Sequence, residues 1–511
     1  MKFSNSKNQQ QFGLNVSSNL VAFAINLLIG LWLTPYLIRN LGISSFGLIP
    51  LANSVTSYMS IITLSLNGAV GRFLAIDIQR NKADEANITF NTALIGSIFI
   101  TGASLPLVIG MVIGLPYIFN IPKGNEWAAQ LLFLFVLLSF FISSIESCFS
   151  VSLWAKSRFD LINVIEILSN VIKIITFVVL FAFIKPGIWQ VGIGIFFSAI
   201  FGLISYFLLW KKITPELFIA PRQFDRSRVR ELFGMGGWMV VNQIGSLLFL
   251  NIDLIVANMV LGAKSAGEYG SILLFSTLLR GLAGTVASVL SPIIVGKYAL
   301  NDLDSMTRFS AQAVRLMAIA VGLPVGLICG LGGPFLQLWL GKNYGSLWFL
   351  LVLMVFHLSI NLAVLPLFGI QTALNRVKIP GMVTLVMGII NLLLALFFTI
   401  VLKWGAYGIA AAAAIVLTLK NVIFTPIYGA YIQKMPWYTY IRTVVPGVVI
   451  TLLVGLVSFG STLLMRIDSW VSLIFIGGAI AVLCLGVLFL FGLKEEDKTL
   501  ILGFLPSFGK S

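Results

Sequence analysis

The chain has 511 residues, of which 59% are hydrophobic and 10% charged, and its net charge is +15. Soluble domains carry about 25% charged residues, so this composition excludes a soluble enzyme. Nucleic-acid binding is excluded as well, because the basic residues are scattered rather than clustered in a stripe. The basic surplus predicts either cytoplasmic loops rich in Lys and Arg or an anionic substrate.

Apolar stretches long enough to cross a bilayer as helices, about 20 residues each, follow one another along almost the whole chain. They predict an all-α polytopic membrane protein and exclude a single-span receptor. The first stretch is too long for the core of a signal peptide, so we expect it to be retained. The fourteen predicted spans are 12–38, 46–71, 88–118, 127–153, 160–184, 187–210, 232–260, 267–295, 309–331, 346–370, 379–402, 405–428, 441–463 and 469–492.

The number of basic residues alternates between low and high from one loop to the next. This alternation predicts the orientation of the chain in the membrane. If the N-terminus is cytoplasmic, each outside loop holds one Lys or Arg, and each inside segment holds two or more. This is the distribution of the positive-inside rule. It predicts that both termini are cytoplasmic.

The longest inside loop, 211–231, carries Lys211, Lys212 and four arginines. We interpret it as a basic cytoplasmic linker that anchors the topology between two halves of the chain. A patch that binds anionic lipid is the alternative.

The two halves on either side of this linker begin alike. Each contains six spans, and an even number keeps the orientation, so the predicted repeat is parallel. In transporters with such repeats the substrate site lies between the halves. The predicted organisation is a lobe at 1–210, the linker at 211–231, a second lobe at 232–430, and two extra helices with a cytoplasmic tail at 431–511. The matching pairs are Phe12-Gly13 with Phe233-Gly234, Leu41-Gly42 with Leu261-Gly262, and Phe46-Gly47 with Tyr269-Gly270.

These turns, the stretch 251–270 and the 6+6+2 layout resemble the O-antigen and capsule polysaccharide flippases of the multidrug/oligosaccharidyl-lipid/polysaccharide exporter superfamily. The resemblance covers nearly the whole chain. It implies a V-shaped, two-lobed transporter of the bacterial inner membrane that works by alternating access. The implied partners are the lipid bilayer and an undecaprenyl-pyrophosphate-linked oligosaccharide, flipped from the cytoplasmic to the outer leaflet. Glycan polymerase machinery is a further partner that the family allows.

Five basic residues in the spans are candidate substrate-binding residues, because ionised groups at membrane depth are costly and usually functional. A guanidinium or ammonium group there could pair with pyrophosphate. Three alternatives stay open. These residues could form structural ion pairs with buried carboxylates, the ammonium group of Lys420 in the twelfth span could snorkel to the interface, and Arg72 at the end of the second span could be an ordinary inside charge. The five candidates are Arg280, Lys173, Arg315, Lys420 and Arg72.

Three carboxylates in the spans are candidates for a coupling ion or for charge partners. Asp253 could be the counter-ion of Arg280 or could hold a coupling cation. Glu166 lies seven residues before Lys173 on the same helix face, so it could tune this lysine, pair with it or take a proton. Glu146 is a similar candidate in the fourth span. We expect no cofactor and no metal centre; energy would come from a proton or sodium gradient or from product removal.

Several functions are disfavoured by what the sequence lacks. Gly509-Lys510-Ser511 resembles the end of a phosphate-binding loop, but the required glycine is Phe504, so we expect no ATP binding. The outside loops are too short for a catalytic domain, and His357 is the single histidine, which disfavours an enzyme. We therefore predict an oligosaccharide flippase. A cation-coupled multidrug antiporter and a membrane glycan polymerase or ligase are the alternatives.

Overall fold

The structure is a computed structural model that describes residues 6–80, 82–226 and 240–492, together with 495, 497 and 498. In this part of the chain every regular element is a helix. Twelve helices are long and apolar enough to cross a membrane, and a pair bent by 44°, Val240–Leu250 with Ile252–Leu261, makes a thirteenth. The remaining predicted span, 46–71, lies in the helix Leu48–Gln79 except for its first two residues. The all-α polytopic class is therefore confirmed, with fourteen as an approximate count.

The helices coincide with the predicted spans because backbone groups in lipid must be satisfied within the segment, as only a helix or a closed barrel allows. Short helices Ile43–Phe46, Pro221–Gln223 and Pro366–Ala373 lie between them. In chain order the long helices are α1 Ser6–Leu41, α2 Leu48–Gln79, α3 Ala83–Ile118, α4 Glu126–Ala155, α5 Phe159–Phe183, α6 Ile188–Ile213, α7 Val240–Leu250 with Ile252–Leu261, α8 Ala263–Ala299, α9 Leu303–Leu340, α10 Lys342–Asn361, α11 Lys378–Val401, α12 Ala406–Ile432, α13 Ile441–Leu464 and α14 Trp470–Leu490.

The chain forms two compact units. The first comprises Met1–Ser271 with Gly381–Val401, and the second comprises Ile272–Pro380 with Leu402–Ser511. These are units of packing, and their boundaries fall inside α8 and α11. The predicted division into two six-span lobes and two extra helices stays a prediction.

The repeated turns are visible in the first unit. Gly42 follows α1 with a φ of 78°, and Gly262 follows α7 with a φ of 91°. Both angles lie in the left-handed region that glycine adopts readily. A Cβ on Gly47 would lie 2.6 Å from the backbone nitrogen of Gly267, so the matching segments pack backbone to backbone. Of the three predicted pairs, Phe233-Gly234 lies outside the described residues.

The start of the predicted linker is held on α3 by two asparagines one turn apart. Asn87 Nδ2 donates to the carbonyl of Glu216, and its Oδ1 accepts from the N–H of Phe218. Asn91 does the same with the carbonyl of Phe218 and the N–H of Ala220. The two amides thus pair with an extended segment as a neighbouring strand would. Arg228 and Arg230 of this linker lie outside the described residues.

Small residues bring α9 and α13 together in the second unit. A Cβ on Gly322 would lie 2.7 Å from the carbonyl oxygen of Gly447, and one on Gly326 would lie 2.8 Å from that of Thr451. Membrane helices associate closely through such glycine stripes because lipid supplies no hydrophobic drive between them. The first of the two helices outside the predicted repeat is therefore packed on the ninth span.

Several spans are interrupted where regular helices would be expected. After Val355, α10 continues as turns and the short helix Leu358–Asn361. Segments of π-helix occupy Phe397–Val401 in α11 and Lys420–Phe424 in α12. Irregular backbone at membrane depth is tolerated where it is buried in protein or lines a cavity, and π-segments often mark functional sites. The residues around these interruptions are therefore candidates for a functional site.

Candidate functional site

A polar cavity of about 420 Å³ lies within the first unit and is lined by residues of α2, α4, α5 and α6. Its volume falls in the range of small-molecule sites. Ten of its fifteen lining residues carry hydroxyl, amide or carboxylate groups. We call it the Glu146 cavity. The lining residues are Asn53, Thr56, Val136, Ser139, Phe140, Ser143, Glu146, Ile165, Glu166, Ser169, Asn170, Ile195, Ser198, Ala199 and Tyr206.

Two of the predicted carboxylates, Glu146 on α4 and Glu166 on α5, meet in this cavity. Gly202 on α6 provides the room, since a Cβ there would lie 2.7 Å from Oε2 of Glu146. Within the described part of the chain, neither carboxylate has a hydrogen-bond or ion-pair partner. Both are therefore open to a ligand in the cavity.

Lys173 lies beside the same cavity and is tied to its wall. Its Nζ donates to Oδ1 of Asn170 over 2.6 Å, and Asn170 Nδ2 donates to Oδ1 of Asn26 on α1 over 2.9 Å. The sequence offered Glu166 as the partner of Lys173, but seven residues separate them by about 10 Å along the helix axis. Asn170, three residues before Lys173, is its hydrogen-bond partner instead. Lys173 is thus a basic group on the rim of the cavity.

A buried polar network crosses the second unit at the interruptions of α10 and α12. Nδ2 of Asn361 lies 2.7 Å from Nδ1 of His357. Asn421 Nδ2 donates to Oδ1 of Asn361, and Thr425 donates to Oδ1 of Asn421. The network starts just beyond the break in α10 and ends just beyond the π-segment of α12.

Two predicted substrate-binding residues lie at this network. Arg280 of α8 is within electrostatic range of the buried His357 ring. Lys420 opens the π-segment and precedes Asn421; its Nζ lies 5.6 Å from the centre of the Phe368 ring. The residue is only 7% exposed, which does not fit a side chain that snorkels to the interface. Arg280 is thus near the His357 end of the network, and Lys420 lies in the π-segment that carries Asn421.

Arg315, another predicted substrate-binding residue, has an acidic partner within the chain. Its Nη2 lies 2.5 Å from Oδ1 of Asp497, which also accepts from Nε2 of Gln312. The Asp497 side chain is 1% exposed and that of Arg315 is 17% exposed. A cargo phosphate would have to compete with this carboxylate, which weakens Arg315 as a candidate.

This ion pair leads to a stability prediction. We expect Arg315→Leu and Asp497→Leu each to lower the free energy of unfolding by roughly 3 kcal/mol, because each leaves a buried charge without its partner. The loss of unfolding free energy in the double variant should be clearly smaller than the sum of the losses in the two single variants. Thermal melting of the detergent-solubilised protein measures this, with Glu495→Leu as the control. Glu495 is 85% exposed in its pair with Lys498, so its removal should change little; additive losses at Arg315 and Asp497 would contradict the prediction.

Asp253 lies in the first turn after the break in α7. Its Oδ2 accepts from the Tyr269 hydroxyl over 2.9 Å, and Asn391 Nδ2 lies 3.4 Å from its Oδ1. Asn391 also donates to the carbonyl of Leu248, while its buried Oδ1 has no partner among the described residues. A carboxylate and a free amide oxygen beside an interrupted helix are ligands that a small hard cation prefers. In the described ranges no three His, Cys, Asp or Glu residues form a metal cluster.

The last predicted site residue, Arg72, falls within α2. Its side chain lies outside the described residues, so its prediction as a substrate contact or an inside charge stays a prediction.

Sequence reasoning missed the uncharged polar residues of these sites. Tyr206 and Asn170 line the Glu146 cavity, and Asn361, Asn391 and Asn421 hold the other two networks together. The charged candidates stood out because charges in lipid are costly. Asparagine within otherwise apolar spans is a similar though weaker signal, since a side-chain amide in hydrocarbon also needs partners.

Comparison with known proteins adds sequence relatives. Residues 12–296 match the family model described as "Polysaccharide biosynthesis protein". The chain is 32% identical over 492 residues to the "Uncharacterized membrane protein EpsK" of Bacillus subtilis, covering 96% of this chain and 97% of that protein. It is 24% identical over 416 residues to the "Putative O-antigen transporter" of Shigella flexneri, covering 80% of this chain and 96% of that protein.

Solved structures share the fold. The lipid II flippase MurJ in an inward closed conformation matches with a TM-score of 0.65 at 17% identity, over 92% of this chain and 98% of that one. An inward-facing multidrug resistance MATE transporter of the MOP superfamily matches with a TM-score of 0.62 at 16% identity, over 82% and 98%. The fold is therefore that of MOP-superfamily transporters. By its family match and its relative of similar length, the chain belongs to the polysaccharide biosynthesis protein family and is a multi-pass membrane protein.

Proposed function

We propose that this protein flips an undecaprenyl-pyrophosphate-linked oligosaccharide from the cytoplasmic to the outer leaflet by alternating access, for cell-surface polysaccharide biosynthesis. The observation that carries the proposal is Lys173, held on the rim of a polar cavity within the membrane-spanning part of the first unit. The family match and the O-antigen transport in a relative's name support it.

The basic groups account for an anionic head group. Lys173 belongs to the first unit, and Arg280 and Lys420 belong to the second. Placing such charges among apolar spans is costly, so each of them is a candidate for a functional role. Pyrophosphate pairs with guanidinium in bidentate fashion and with ammonium as a point charge. We propose that these residues hold the pyrophosphate while the lipid tail remains in the bilayer.

The test is the fate of the cargo in cells. In cells that lack the protein, one undecaprenyl-linked species should accumulate on the cytoplasmic leaflet. Wild type should reverse the accumulation, and Arg280→Ala should not, while its amount in the membrane stays normal. Arg39→Ala, at the exposed end of α1, is the matched control and should behave like wild type. A normal lipid profile without the protein would refute the proposal, whereas wild-type transport by Arg280→Ala would remove Arg280 from the pyrophosphate site.

A cation-coupled multidrug antiporter is the second candidate. The two carboxylates of the Glu146 cavity favour it, because buried carboxylates suit cationic drugs, and the chain has the fold of such transporters. Efflux of a hydrophobic cation from vesicles separates the two functions. If efflux is found and the lipid profile is normal, Asp253, Glu146 and Glu166 replace the basic residues as the functional groups.

For the energy source we propose a proton or sodium gradient that acts through Asp253. The supporting observations are the broken helix, the carboxylate and the free oxygen of Asn391. Asp253→Asn removes the charge but keeps a similar shape, so flipping in proteoliposomes should no longer respond to an imposed gradient. The control is Asp468→Asn, an exposed residue between α13 and α14. An unchanged response in Asp253→Asn would contradict this coupling, whereas the cargo proposal would stand.

A further inference from the structure

We infer that the Glu146 cavity is a recognition subsite for a non-anionic sugar, neutral or amine-bearing, namely the sugar that is bonded to the pyrophosphate of the cargo. This inference rests on the proposed function, because it assigns one part of the lipid-linked cargo to one place in the first unit. Polarity, charge and position each support it.

The polarity of the cavity fits a ligand rich in hydroxyl groups. Tyr206 is only 5% exposed, lines the cavity and makes no hydrogen bond within the described ranges. Its hydroxyl is therefore available to donate to, and accept from, a ligand that enters the cavity. Glu146 and Glu166 are acceptors, whereas the serine hydroxyls of the lining can donate and accept. Sugar hydroxyls do both, and so complement the polar part of this wall.

The charge of the cavity selects among sugars. Its lining contains two carboxylates and no Lys, Arg or His. An anionic group in the cavity would be repelled by each ionised carboxylate, and more strongly than in water because the surroundings are partly apolar. Uronic acids and phosphate are therefore disfavoured. Neutral sugars are accepted, and amino sugars gain an attraction.

The position of Lys173 fits the chemistry of the cargo. Asn170 lines the cavity and accepts the hydrogen bond from Lys173 Nζ, so the ammonium group lies just outside the acidic lining. In a lipid-linked glycan the first sugar is bonded directly to the pyrophosphate. A site for that sugar requires a cation at its edge, and Lys173 supplies it. The cavity volume of about 420 Å³ holds a part of an oligosaccharide rather than all of it.

Binding of free sugars tests the inference without any transport. The probes are N-acetylglucosamine, glucosamine and glucuronate, added to the full-length protein in nanodiscs and followed by saturation-transfer NMR. We expect the first two to bind and glucuronate to bind at least about tenfold more weakly. The double variant Glu146→Gln, Glu166→Gln should reduce this discrimination. Glu126→Gln, an exposed carboxylate at the start of α4, should leave it unchanged.

Tyr206→Phe is the second variant, because it removes only the hydroxyl. If its melting temperature matches wild type, its affinity for N-acetylglucosamine should be lower. Three results would overturn the inference: equal binding of glucuronate and N-acetylglucosamine, no binding of any probe, or unchanged discrimination in the double glutamine variant. A double variant that alters only the response of flipping to an ion gradient would also overturn it and would assign the carboxylates to coupling.

The same protein in proteoliposomes separates this inference from the proposed function. Short-chain polyprenyl-pyrophosphate probes are used, one with N-acetylglucosamine and one with glucuronic acid. Faster flipping of the first supports both proposals. Equal flipping of both supports the flippase and overturns the sugar subsite. Flipping of neither, together with selective binding of the free sugars, refutes the flippase while the cavity remains a sugar site.

Discussion

We expect the Gly267→Ala variant to be much less stable than the wild type, so that far less folded protein accumulates in the membrane. A Cβ at this position would collide with the carbonyl oxygen of Ile43 and would lie 2.9 Å from its carbonyl carbon. Both atoms belong to the backbone of the short helix Ile43–Phe46, so no side-chain rotation relieves the clash. Overpacking of this kind typically costs 1–3 kcal/mol and occasionally more. We expect a loss of at least about 3 kcal/mol here, since the backbone itself must move.

Thermal melting in detergent and the amount of protein in the membrane measure this loss. Gly460→Ala is the matched control, because Gly460 is also helical, in α13, and a Cβ there meets nothing within 4 Å. Replacing glycine by alanine inside a helix is otherwise neutral or stabilising. A Gly267→Ala protein that melts like the Gly460→Ala protein would show that the two repeated turns do not pack as described.

The second large effect is expected from Lys173→Met, which should slow flipping roughly 10- to 100-fold, the range expected for the loss of one charge-assisted hydrogen bond. Methionine is of similar length and apolar, so α5 should still insert. Lys173→Arg keeps the charge and should retain part of the activity. The flipping rate of a short-chain polyprenyl-pyrophosphate sugar in proteoliposomes is the measurement.

Lys185→Met is the control for this variant. Lys185 is exposed in the loop that follows α5, so its removal should leave the rate unchanged. Equal rates for Lys173→Met and wild type would remove Lys173 from the cargo site. A loss in Lys173→Met that Lys173→Arg does not relieve at all would point to packing against Asn170 rather than to charge.

Features that depend on local sequence were predicted correctly. The spans follow from runs of apolar residues, because the bilayer imposes the length and satisfies no backbone group. The turns at Gly42 and Gly262 follow from a repeated dipeptide, and both glycines have the positive φ that explains it. Hydropathy was less informative for the interruptions in α10 and α12, because a break between two buried segments leaves the average hydropathy high.

What the sequence by itself determined is the class of protein, the approximate number of spans, the repeated turns and the set of charged candidates. The tertiary structure alone decided how these charges are arranged. It placed Glu146 and Glu166 in one cavity, joined Lys173 to Asn170 and paired Arg315 with Asp497. The physical reason is that such contacts depend on the rotation of each helix about its axis and on its neighbours. Both are set by packing between residues far apart in the chain, which hydropathy and spacing along the chain do not record.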